Sequence, residues 1–88
     1  MVVANFDQER GLTLLANMER IRAFEEQALL AAERDKLVLG AIHPSIGQEA
    51  AAVGLMWALR IDDYLLTTHR GHGHMLAKGA DPVAMMRE

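Results

Sequence analysis

The chain has 88 residues, a formal net charge of -3, 51% apolar residues and no cysteine. That length holds at most one small domain, and the lack of cysteine excludes a disulfide framework and thiolate metal sites, as fits a reducing cytoplasm. Acidic residues are spread along the whole length, which excludes a basic face for nucleic acid. No apolar run approaches the ~20 residues of a membrane span, and the N-terminus lacks a secretory signal. Met1 is therefore expected to begin a soluble, cytoplasmic chain.

From Asp7 to about Arg34, Leu12, Leu15, Met18, Ile21, Ala28 and Ala32 recur at helical spacing, with Phe24, Leu14 and Leu29 widening the stripe. This predicts one long helix with Asp7 as its N-cap. Glu19, Arg20, Arg22, Glu25, Glu26, Glu33 and Arg34 fall mostly on the opposite face and read as solvated. Residues 37–42 are too few for a helix and contain Gly40, so they read as an extended connector, at whose end Pro44 keeps His43 out of the helical region. Ser45-Ile46-Gly47-Gln48 then has the Ser-x-x-Gln form of a capping box, predicting a second helix over about 46–59. Its circumference is almost wholly apolar, so it is expected to be buried, with missing sequence or a partner covering one side.

Asp62 and Asp63 mark a turn, and residues 64–68 (Tyr-Leu-Leu-Thr-Thr) read as a short buried strand. The strand leads into His69-Arg70-Gly71-His72-Gly73-His74, which gathers three of the chain's histidines. Residues 75–78 predict a helical turn closed by Gly79, and Asp81-Pro82 an N-cap followed by proline at the first helical position. Glu88 falls just as that last helix opens, so the chain is expected to be the N-terminal piece of a longer protein.

Three chemistries compete for the histidine cluster. A metal could use His69-x-x-His72 or His72-x-His74, with His43 or an acid from elsewhere completing the set. An anion could use backbone N–H groups exposed by Gly71 and Gly73, the planar two-pronged donor of Arg70 and the imidazoles, an arrangement suited to a phosphate or diphosphate. The plainest reading is a glycine turn with partly exposed histidines, His74 first among them.

The segments "MERIRAFEE" (18–26), "IHPSIGQEAAAVG" (42–54) and "DDYLLTTHRGHGHMLAKGADPVAMM" (62–86) closely resemble the N-terminal region of the alpha subunit of thiamine diphosphate-dependent 2-oxo acid dehydrogenases. The resemblance runs from about residue 12 to the end. Its "THRGHGH" form looks most like acetoin dehydrogenase, whereas pyruvate-using relatives commonly carry tyrosine where this chain has His69. The resemblance implies an α/β thiamine diphosphate-binding fold, of which residues 1–88 form an N-terminal fragment, mostly α-helical with one short strand.

It further implies that Thr68, His69 and Arg70 bind the cofactor's diphosphate at the seam with a beta subunit. His43 and His72 would line the active-site channel as proton donors or acceptors. For Gly47, Gln48 and Glu49 the residues themselves give a structural reading, the capping box and entry of the second helix. The family's Gly-Asp-Gly segment, which holds a magnesium ion (Mg2+) and the diphosphate, does not occur in this chain, so no metal ligand is expected here. The acid that activates the aminopyrimidine would come from the beta subunit. On this reading the fragment alone is inactive. The complete enzyme is a heterotetramer that takes acetoin or a 2-oxo acid and passes an acyl group to a lipoyl-bearing acyltransferase. The competing class, from the residues alone, is a non-catalytic helical interaction module docking through its second helix.

Overall fold

A computed structural model describes residues 8–37 and 42–87. Among the described residues four helices follow one another: α1 (Gln8–Glu33), α2 (Glu49–Trp57), α3 (His72–Ala77) and α4 (Pro82–Met86). Among the described residues there is no strand, and no helix is long and apolar enough to cross a membrane. The expected N-cap Asp7 and residues 38–41 of the expected connector lie outside the described residues.

α1 forms where the helical spacing places it, and α2 and α3 both pack against it and against each other. Their shared core is Ile21, Ala52, Val53 and Leu76, with Leu14, Met18, Phe24, Ala77 and Met85 packed around it. On α1 the buried line runs through Leu14, Met18, Ile21, Glu25 and Ala28, in steps of three and four residues. Leu12 and Leu15, expected on the inner stripe, remain exposed because the short α2 and α3 cover only this line. Glu25, expected among the solvated charges, lies on the covered line instead and is 0% exposed.

α2 starts at Glu49, later than expected, and no side chain caps it. The expected capping box does not form: Gln48 meets Ser45 only through their backbones, N–H to carbonyl at 2.9 Å. The Ser45 hydroxyl is engaged elsewhere, in the histidine loop. α2 buries Ala52, Val53 and Met56 along one face, while Leu55 and Trp57 on the other stay exposed, so the expectation of an all-round buried helix is met on one side only.

Residues 64–68 do not form the expected buried strand. Tyr64 and Leu66 are 102% and 98% exposed. A strand needs a neighbour to take its backbone hydrogen bonds, and no other strand lies among the described residues to offer one.

α3 begins inside the cluster, at His72, and ends as expected at Gly79. There Gly79 adopts φ 105°, its N–H bonds to the Leu76 carbonyl and the Ala80 N–H to the Met75 carbonyl, both at 3.0 Å. This pair of bonds closes a helix with a left-handed residue, a conformation glycine takes without a Cβ penalty. α4 opens as read from the sequence, with the Asp81 side chain accepting from the Val83 N–H at 3.2 Å and Pro82 in the first turn.

Candidate functional site

The histidine loop is held by hydroxyl groups. The Ser45 hydroxyl donates to the Arg70 carbonyl and accepts from the Gly73 N–H, each at 3.3 Å. Gly73 is the second residue of α3, so Ser45 caps α3 from a distant part of the chain, where Gly71 offers no side chain to do so. A Cβ on Gly73 would stand 3.1 Å from the Ser45 Oγ and 3.3 Å from the Ala52 Cβ. Glycine there permits close approach of α3 to α2. Its N–H is committed to Ser45, which corrects the expectation that both glycines turn their amides toward a ligand. The Thr67 hydroxyl and the His74 Nδ1 lie 2.9 Å apart, giving His74 a structural partner.

Ahead of α3, Thr68, His69 and Arg70 are exposed. The Thr68 hydroxyl accepts from the Arg70 N–H at 3.2 Å, leaving its own hydrogen free to donate. The His69 ring meets His43 edge to face, centroids 4.7 Å apart at 83°. The structure thus joins His43, far off in sequence, to the loop. Among the described residues the Arg70 guanidinium enters no ion pair. Thr68, His69 and Arg70 follow one another in the chain and, with His43, offer a hydroxyl, two imidazoles and a guanidinium, donors whose chemistry fits a diphosphate. A metal is less well served, since no cluster of three His, Asp or Glu side chains suited to one occurs among the described residues.

His72 sits in a separate setting. Its Nδ1 lies 2.9 Å from the Glu25 Oε1, and its ring meets Phe24 edge to face, centroids 5.8 Å apart. The imidazole is 35% exposed and lines a cavity of about 440 Å³ with Met75, Ala80, Asp81, Ala84 and Met85. Among the described residues no ring contact or hydrogen bond joins His72 to the His43–His69 pair.

Two contacts made by charged side chains in this region were not expected from the sequence. Glu25 was signalled by its register, four residues after Ile21 and three before Ala28, which puts it on the buried line. Arg22 and Glu49 are the second case: the Arg22 Nε donates to Glu49 Oε1, tying α1 to the first residue of α2. That hydrogen bond holds the buried Glu49 carboxyl below the usual carboxylate range against the opposing pull of burial. It pushes the Arg22 guanidinium up correspondingly. Nothing in the local sequence links positions so far apart.

The family model described as Dehydrogenase E1 component matches residues 16–88. The chain belongs to the dehydrogenase E1 component family. Among individual relatives it is 46% identical over 82 residues to the alpha subunit of acetoin:2,6-dichlorophenolindophenol oxidoreductase of Cupriavidus necator, covering 93% of this chain and 24% of that protein. The corresponding Bacillus subtilis subunit is 40% identical over 83 residues, covering 92% of this chain and 24% of the relative. The pyruvate dehydrogenase E1 component subunit alpha of Zymomonas mobilis is 45% identical over 83 residues, covering 93% and 23%. The chain thus spans about a quarter of the length of these relatives. No solved structure matches it.

Proposed function

We infer that this chain is the N-terminal part of the alpha subunit of a thiamine diphosphate-dependent dehydrogenase of the acetoin or pyruvate type. The observation that carries the reading is the family match over residues 16–88, which contains every candidate site residue. Thiamine diphosphate, when bound, supplies the carbanion chemistry that breaks a carbon–carbon bond beside a carbonyl. Arg70 grips the diphosphate as a two-pronged donor, with the His69 imidazole and the Thr68 hydroxyl adding hydrogen bonds. His43 and His72 exchange protons with the reacting oxygen or sulfur, since imidazole is the side chain suited to that task near neutral pH. The magnesium ion takes its ligands from outside these residues. A beta subunit completes the site, a lipoyl-bearing acyltransferase receives the acyl group, and the assembly works in the cytoplasm.

The test uses the complete alpha subunit assembled with its beta subunit. Arg70→Ala raises the dissociation constant for thiamine diphosphate at least ~10-fold, the equivalent of one charge-assisted hydrogen bond of about 1.4 kcal/mol or more. Unchanged affinity removes Arg70 from the cofactor site and the reading with it. His43→Ala and His72→Ala keep cofactor affinity and lower kcat by ~10²–10⁴-fold. Wild-type rates in both variants overturn the proton-transfer assignment, and comparison of acetoin with pyruvate as substrate decides between the two types.

A further inference from the structure

We propose that Glu25 is the positioning residue of His72: it holds the imidazole as the tautomer protonated at Nδ1, leaving Nε2 as the working nitrogen on the α3–α4 cavity. The inference rests on the proposed role of His72 and adds a residue to it from another helix. Its basis is the 2.9 Å contact between the His72 Nδ1 and the Glu25 Oε1, together with the complete burial of Glu25.

In the proposed arrangement the Glu25 carboxylate accepts and the His72 Nδ1–H facing it donates. This arrangement puts the proton on Nδ1 and, in the neutral ring, the lone pair on Nε2, which has no partner among the described residues. Phe24 stands edge-on to the ring at 76°, limiting its rotation. The partly exposed ring lines the cavity while its carboxylate partner is sealed beneath it. A carboxylate that orients an imidazole from behind in this way is a general device for fixing which nitrogen meets the reactant.

Stability alone gives Glu25 no reason to be there. Its second oxygen, Oε2, is buried without a hydrogen-bond partner, so the group is only half satisfied in a place where polar groups are costly. Its neighbours on the buried line, Ile21 and Ala28, are apolar, and an apolar side chain in its place would fill the same volume without a stranded oxygen. A buried group that costs stability and contacts one half-exposed histidine is explained by what it does to that histidine.

The experiment compares Glu25→Gln and Glu25→Leu with the wild type in the complete alpha subunit assembled with its beta subunit, with 15N-labelled histidine. In the wild type the His72 resonances report a proton on Nδ1. In Glu25→Gln, whose amide oxygen still accepts, that tautomer persists. In Glu25→Leu it gives way to a mixture or to the Nε2-protonated form. Melting temperature stays level or rises in Glu25→Leu, kcat falls at least ~10-fold and KM holds, because the lost function is proton transfer. A proton on Nε2 in the wild type, an unaltered tautomer in Glu25→Leu, or an altered tautomer with wild-type kcat each overturns the proposal. The tautomer is read without turnover. A preparation that fails to bind thiamine diphosphate but shows the tautomer shift therefore keeps the positioning contact and refutes the cofactor reading separately.

Discussion

Replacing Ser45 with alanine removes a single oxygen and leaves its Cβ in contact range of Gly73, so the variant isolates the hydroxyl's two hydrogen bonds. Loss of a helix cap costs ~0.5–2 kcal/mol, and a buried N–H left without an acceptor costs ~1–3 kcal/mol. Both bonds measure 3.3 Å, at the long end of the hydrogen-bond range, which selects the lower part of those intervals. We therefore expect a loss of about 1–2 kcal/mol, where each kcal/mol lowers the melting temperature of a chain this size by ~4–8 °C. The control is Gln48→Ala. Gln48 is exposed and its side chain caps nothing, so its loss stays within ~0.5 kcal/mol. Thermal unfolding followed by circular dichroism separates the two. Equal losses in both variants would restore the local capping box and refute the long-range cap; no loss in Ser45→Ala would refute it as well.

Leu76 is 2% exposed at the centre of the core, so Leu76→Ala costs ~2–5 kcal/mol, whereas Leu66→Ala, at 98% exposure, stays within ~0.5 kcal/mol; urea unfolding midpoints check the contrast. The Glu49 carboxyl is lowered chiefly by its hydrogen bond from Arg22, so its stabilising contribution is full above the ordinary carboxylate range and is lost as pH falls through the lowered value. Arg22→Met removes that cause, so its deficit is already present at neutral pH and its melting temperature falls less than the wild type's between about pH 5 and about pH 3. Equal slopes in the two proteins would show that the pair does not set the acid response.

What the sequence disclosed follows how local each signal is. The long first helix, the Gly79 stop and the Asp81-Pro82 start each depend on residues within a turn or two of one another, and all three appear in the structure. The Ser-x-x-Gln signature is just as local, yet it lost because Gly73 presents a buried N–H to the same oxygen. The expected strand at 64–68 had the right residues but needed a neighbouring strand, a condition no single segment can encode. Glu25 was misassigned by residue type, charge being taken as exposure, when its spacing from Ile21 and Ala28 already placed it inside. Its partner, 47 residues away, could come only from the fold.

The cluster itself shows why concentrated histidines need not converge. α3 starts at His72, so His69 precedes the helix while His72 and His74 lie on it two positions apart. Two helical steps turn a side chain by roughly 200°, which sends neighbouring imidazoles to opposite sides. His72 accordingly reaches Glu25 on α1, and His74 reaches back to Thr67. A metal shared by His72 and His74 would require their two rings to meet, and this geometry parts them. The same division supplies the proposed chemistry with two separate faces: exposed donors for an anion on the loop before the helix, and an oriented imidazole on its first residue. Ser45 joins both, bonding to Arg70 on one side of the helix start and to Gly73 on the other, so moving that start by a residue would disturb the two faces together.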